Sequence, residues 1–235
     1  MSETTHKHSA KTILKDLLEG NVRYAGKHSK EYENLKAKQT PKVTLLTCSD
    51  SRIPQNLFDI DCPNELFMVR NIGNQFRNSE GSIKYPLLHL NTPILIVMGH
   101  TGCGAIKASL SDYRGEDDTI QKEVIGLVNS IRLANQTRNA AAIPDEGQRL
   151  AIYAQVNVDH QINKIINEFN IKTKIDSGDL FVVGMMFDIH GVYGENSSHV
   201  YVTNINGATD VKALKAHDLA VEISLELSGM KFKRL

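Results

Sequence analysis

A chain of 235 residues with 41% hydrophobic content can bury one large core, so a single domain is expected. Lysine plus arginine and aspartate plus glutamate stand at 27 each, which argues against a nucleic-acid or anionic-membrane partner and points to a small ligand. No apolar stretch reaches the roughly 18 residues that span a bilayer. The opening "MSETTHKHSAKTILKDLLEGN" lacks the apolar segment of a secretory signal, and three cysteines make no disulfide framework. The chain therefore reads as cytoplasmic, with thiols available for metal or catalytic use.

Residues 9–26 carry Ile13, Leu14, Leu17, Leu18 and Val22 near helical spacing, with Gly26 as the stop. A polar link, "KHSKEYENLKAKQTP", leads to "KVTLLTCS", read as the first central strand, and "ELFMVRN" (65–71) is the second after a turn at "DCPN". "GSIKYPLLHLN" reads as a helix that Pro86 either starts or kinks. "PILIVMGH" (93–100) is apolar almost throughout, as a strand covered on both faces must be. "GCGAIKASLSD" opens a helix, and 117–135 and 146–169 are longer helical stretches separated by "AAIPDEG". "GDLFVVGMMFDIHG" and "HVYVTNI" read as two more strands, paired as a hairpin around "HGVYGENSS", and "DVKALKAHDLAVEISLEL" as a last helix packed outside. Alternating strands and helices predict an α/β fold, a central mainly parallel β-sheet flanked by helices with an N-terminal helical arm. The expected organisation is an arm and linker at 1–38, a catalytic core at 39–207 and a helical extension at 208–235.

Sites in parallel sheets lie at the carboxyl ends of strands. Cys48 ends the first strand and "GHTGC" (99–103) ends the third, so two distant cysteines are expected at one edge of the sheet. Cys48, His100 and Cys103 are two thiolates and an imidazole, a zinc donor set that leaves a fourth position. Cys62 is a possible fourth ligand, although Asp61, Pro63 and Asn64 suggest a turn leading away. A buried cysteine by itself is commonly a small hydrophobe; the combination with His100 at two strand ends favours metal. "GHTGCGA" fails as a phosphate loop because Ala105 stands where that motif needs lysine.

"CSDSR" (48–52) followed by "GHTGCGA" resembles the β-class carbonic anhydrases, and the resemblance continues through "FMVRNIGN", "GSIKY", "ILIVMGH" and "VVGMMFDIHG", covering roughly 35–205. It implies zinc-dependent reversible hydration of carbon dioxide to bicarbonate by a zinc-bound hydroxide, one Zn²⁺ per subunit on Cys48, His100 and Cys103, and a catalytic Asp50–Arg52 dyad beside the metal. Two thiolates cancel the charge of Zn²⁺, so an ionised Asp50 held by Arg52 compensates by favouring hydroxide. The plant-type pocket subgroup places Gln nine residues before the first cysteine, Phe three before the arginine of "VRN", and Tyr at the end of "GSIKY"; Gln39, Phe67 and Tyr85 stand there. By resemblance these residues, with Ile72 and the Gly104 N–H, bind substrate in a narrow apolar cleft partly shared across a dimer.

The other subgroup binds regulatory bicarbonate with a Trp before the first cysteine; this chain has no Trp, Leu45 takes that place, and Arg70 reads as structural. The resemblance also implies that Asp50 stays on Arg52 rather than on zinc, and that the protein is a homodimer or dimer of dimers. Another zinc lyase or hydrolase on the same scaffold, such as one hydrolysing carbon disulfide, and a zinc-stabilised module or thiol sensor are the competing readings. His190 and His199 are possible proton shuttles that nothing in the sequence places near the metal.

Overall fold

The computed structural model describes residues 9–60, 63–194, 197–226 and 231–235. The chain divides into two units between Gln39 and Thr40.

The N-terminal unit is one long helix, α1 (Ala10–Glu33). Ser9 caps it, its Oγ accepting the Thr12 N–H at 3.2 Å. The helix runs through Gly26, where the spacing of apolar residues ends. A single interior glycine costs only about 1 kcal/mol, and the polar segment beyond has contacts of its own. Tyr24 stacks on His28 with ring centroids 4.2 Å apart, and His28 Nδ1 lies 2.9 Å from Glu31 Oε2. No residue of α1 is buried.

The second unit runs β1 (Val43–Cys48), β2 (Leu66–Asn71), α2 (Glu80–Leu88), β3 (Ile94–His100), α3 (Gly104–Ser109), α4 (Asp118–Arg138), α5 (Glu146–Ile166), α6 (Phe169–Asp176), β4 (Phe181–Asp188), β5 (His199–Ile205), α7 (Val211–Ala216) and α8 (Asp218–Glu226). Among the described residues the strands form one sheet in the order β2-β1-β3-β4-β5. The first three pairings are parallel, and only β4 with β5 is antiparallel. This is the mixed, mainly parallel α/β sheet that the sequence predicts. β1 and β3 are buried at nearly every position, which matches their unbroken apolar runs.

Register sets the site. Thr47 of β1 faces Met98 of β3, so Cys48 and His100 leave the sheet at the same carboxyl edge. Helix α5 lies close against that edge: a Cβ on Gly99 would sit 2.8 Å from Val158 of α5, as well as 2.9 Å from Met186 of the neighbouring β4. The buried amides of α5 are satisfied rather than orphaned. Asn157 Nδ2 donates to Gly73 O at 2.9 Å, Ser130 Oγ donates to Asn157 Oδ1 at 3.0 Å, and Gln161 Oε1 accepts the Phe76 N–H at 3.0 Å. These bonds pin the loop after β2 beside the end of β1.

Several helix boundaries differ from the sequence reading. Pro86 sits inside α2 rather than at its start. The stretch 146–169 is two helices, broken at Asn167 and restarted after Glu168, so α6 is an element that apolar periodicity does not reveal. The last helix is also two: His217 is extended, with ψ 134°, and its Nδ1 accepts the Leu219 N–H at 3.3 Å, acting as a cap that starts α8. Cys62 lies outside the described residues. Among the described residues no helix is long and apolar enough to cross a membrane.

Candidate metal centre

Cys48 arrives at the end of β1, and His100 at the end of β3. Cys103 follows three residues later on the turn into α3. That turn needs Gly102, which has φ +67° and a Cα packed on the His190 ring, where a Cβ would meet Cε1 at 2.3 Å.

The ligand atoms of Cys48, His100 and Cys103 all lie within 4.8 Å of one another, and all three residues are buried. The two sulfurs are 4.0 Å apart. Tetrahedral zinc with Zn–S of about 2.3 Å spaces two sulfurs by about 3.8 Å, so the cradle needs almost no adjustment. His100 Nδ1 donates to Thr101 O at 3.1 Å, which leaves Nε2 as the lone-pair nitrogen. That nitrogen is buried with no hydrogen-bond partner. A buried orphan costs on the order of 1–3 kcal/mol unless something binds it, and here it faces two thiols. The donor set is a candidate metal site whose residues fit Zn²⁺.

The thiols are unequal. Cys48 is pulled down to about 4, first by the hydrogen bond from Cys103 and also by the backbone N–H groups of Gly73 and Asp50, against the opposing effect of burial. Cys103 is pushed up by that same contact and by burial, although the N–H groups of Ile106 and Ala105 pull it down. Without metal the two coupled thiols therefore share about one negative charge.

Asp50 lies beside this cradle, with Oδ2 3.8 Å from His100 Nε2. Arg52 grips it with Nε to Oδ1 at 2.9 Å, Nη2 to Oδ2 at 2.7 Å and its backbone N–H to Oδ1 at 3.0 Å. These bonds hold the Asp50 carboxyl well below the usual carboxylate range, with partial burial opposing. Arg70 is structural here: its guanidinium donates to Cys48 O at 3.2 Å, Ile53 O at 3.2 Å and Asp50 O at 2.8 Å, fixing the backbone of the "CSDSRI" turn.

A cavity of about 540 Å³ opens onto the site. Cys48, Asp50, Ile72 and Gly104 line it, and α3 and α4 supply the remaining wall through Ala105, Ala108, Ile120, Glu123 and Val124. Phe67 and Tyr85 are not on this wall. They pair with each other, ring centroids 6.3 Å apart, and Tyr85 is 46% exposed. Gln39 is the last residue of the N-terminal unit.

Two supporting residues escaped the sequence reading. Asp188, buried at the end of β4, accepts Thr101 Oγ1–H at 3.1 Å and the N–H groups of His190, Val192 and Tyr193 at 3.2, 3.1 and 2.8 Å. It fixes the residue next to His100, and the strand-end rule that picks out Cys48 and His100 also picks out Asp188. Glu123 sits in mid-helix, and sequence carries no signal that it reaches the cavity. His190 does reach the metal loop, its Nδ1 3.1 Å from Thr101 Oγ1.

The family profile described as carbonic anhydrase matches residues 43–193. The chain is 25% identical over 211 residues to a carbonic anhydrase of Saccharomyces cerevisiae, covering 81% of this chain and 91% of that protein. It is 28% identical over 191 residues to one of Synechococcus elongatus, covering 75% and 68% respectively. Among solved structures, a tetrameric β-carbonic anhydrase of Sordaria macrospora superposes with a TM-score of 0.70 at 26% identity, covering 82% of this chain and 96% of that one. A Coccomyxa β-carbonic anhydrase in complex with acetazolamide has the same fold, with a TM-score of 0.69 at 22% identity, covering 91% and 97%.

Proposed function

The chain belongs to the carbonic anhydrase family, in its β class, and from that premise we propose that it catalyses the zinc-dependent reversible hydration of carbon dioxide to bicarbonate and a proton. The observation that carries the metal half of this reading is the orphaned His100 Nε2, buried opposite two sulfurs 4.0 Å apart. Cys48, His100 and Cys103 would hold one Zn²⁺ per subunit. Bound there, zinc supplies the Lewis acidity that brings the pKa of a water toward about 7.

The protein's own groups do the rest. Asp50, kept anionic by Arg52, accepts the hydrogen bond of the reacting water at a carboxylate oxygen and orients its lone pair toward the cleft. Gly104, on the cavity wall, offers its backbone N–H to one oxygen of carbon dioxide, and Ile72 with the apolar wall excludes bulk water from the reacting carbon. Asp50 stays on Arg52 rather than moving onto the metal. We assign the pocket to the plant type, with Phe67, Tyr85 and Gln39 completing substrate binding in an assembled homodimer or dimer of dimers. Arg70 is engaged with three backbone carbonyls, and no Trp is present, which supports the absence of a regulatory bicarbonate pocket. The protein acts as a single catalytic domain in the cytoplasm, with residues 1–38 as its arm and 208–235 as its extension.

The test is stopped-flow carbon dioxide hydration with zinc quantified in the same sample, run beside sulfide release from carbon disulfide. Hydration that scales with zinc supports the reading. Stoichiometric zinc without hydration, or carbon disulfide turned over in preference, overturns it.

A further inference from the structure

We propose that Glu123 sets the charge selectivity of the cleft, its carboxylate disfavouring anions in the cavity so that bicarbonate leaves readily and small inorganic anions bind weakly. The inference rests on the carbonic anhydrase reading and extends it to a residue with no part in that mechanism.

The ionisable side chains on the cavity wall are Cys48, Asp50 and Glu123. Cys48 belongs to the metal cradle, where two thiolates match the charge of a divalent ion. Asp50 is neutralised by Arg52 through two side-chain hydrogen bonds. Glu123 has no such partner: among the described residues no lysine, arginine or histidine forms an ion pair with it. Its Oε2 accepts only amide hydrogens, from Asn78 Nδ2 at 2.5 Å and Gln75 Nε2 at 3.4 Å. Gln75 is itself fixed, its Nε2 donating to Ile72 O and Glu123 O at 2.9 Å each. The charge is therefore held at the wall rather than swinging free.

A cavity of about 540 Å³ is roughly 10 Å across if spherical, comparable to the Debye length at physiological salt. Its wall is otherwise mostly apolar, which weakens screening further. A fixed negative charge there leaves neutral carbon dioxide almost unaffected and raises the free energy of any anion inside. The plainer alternative is that Glu123 only straps α4 to the loop after β2 through Gln75 and Asn78; that role would not distinguish charged from neutral ligands.

The experiment uses cobalt-substituted enzyme with metal content measured, and reads dissociation constants from its visible absorption at about pH 8. Thiocyanate is the anionic probe, and imidazole the neutral one. Glu123→Gln is expected to tighten thiocyanate by about three- to tenfold at low ionic strength, with the gap closing near 1 M salt and imidazole changed less than twofold. Glu123→Ala, a second neutral variant, should shift thiocyanate in the same direction, and Glu123→Asp should stay near wild type. Equal thiocyanate affinity in wild type and both neutral variants overturns the proposal, as does an equal shift for thiocyanate and imidazole. Wild-type protein that takes up no metal through Cys48, His100 and Cys103 overturns the underlying reading as well. Intact metal uptake and carbon dioxide hydration, with thiocyanate indifferent to Glu123, overturn this inference alone.

Discussion

Arg52 joins Asp50 through two parallel hydrogen bonds of 2.9 and 2.7 Å, and the same Nη2 donates to Gly102 O at 2.9 Å. One guanidinium thus fixes both the carboxylate beside the donors and the turn that carries two of them. A planar fork suits that double task, and a lysine ammonium does not.

Asp50→Asn keeps the size of the side chain and removes its charge. Zinc content should remain one per chain while kcat for hydration falls by about 10²–10⁴, because a neutral amide neither favours ionisation of the reacting water nor orients it as the carboxylate does. Arg52→Lys should fall between wild type and Asp50→Asn, because a point charge cannot hold both oxygens. Arg52 keeps the Asp50 carboxyl well below its usual range. Asp50 therefore stays ionised across about pH 6–9, and the wild-type rate profile there should show no step from it. Stopped-flow assays with metal analysis check all three; loss of zinc in Asp50→Asn would count against a role separate from metal binding.

The unequal thiols predict how zinc affinity varies with pH. A metal needs both sulfurs as thiolates. Cys48 is pulled down by its contact with Cys103 and Cys103 is pushed up by that contact and by burial, so the coupled pair holds about one proton at neutral pH. Binding therefore releases about one proton, and affinity should rise about tenfold per pH unit between roughly pH 7 and 8.5. Chelator competition at three pH values measures the slope. A hundredfold rise per unit would mean that both thiols start protonated.

Much of this centre is legible from residue types and strand ends, because a parallel sheet brings the ends of β1 and β3 together whatever the intervening sequence does. Cys48, His100 and Cys103 needed only that rule. What escapes is set by tertiary contacts. The break between α5 and α6 at Asn167, and the cap that His217 places on α8, are local competitions that apolar spacing does not record. The reach of Glu123 into the cavity depends on how α4 is rotated, and Gln75 settles that by bonding the Glu123 backbone. Phe67 and Tyr85 are identifiable by motif alone, yet they face each other rather than the cavity of one chain.

Helix α1 carries Ile13, Leu14, Leu17, Leu18 and Val22 at 48%, 57%, 66%, 60% and 72% exposure. A stripe of that composition is stable only when covered. In the proposed homodimer or dimer of dimers a second chain is expected to cover it. Light scattering should give a multiple of the 26.1 kDa chain mass, and Leu14→Glu with Leu17→Glu should shift the mass toward the monomer. A wild-type monomer at micromolar concentration would refute this.

Gly102→Ala tests the turn between the His100 and Cys103 donors. The residue sits at φ +67°, where a side chain costs on the order of 1–2 kcal/mol, and the new methyl would also overlap the His190 ring at 2.3 Å from Cε1. That ring is held from behind by Thr101 and, through it, Asp188, so the turn must move instead, carrying two metal donors and the carbonyl that Arg52 grips. Zinc affinity should fall about 10–100-fold, the usual effect of disturbing the groups that orient metal ligands. Adding His190→Ala removes the overlap and leaves the backbone cost, so the double variant should recover part of the affinity and not all of it. Full recovery would mean that φ at Gly102 carries no strain once the ring is gone. No recovery would place the whole effect in the backbone.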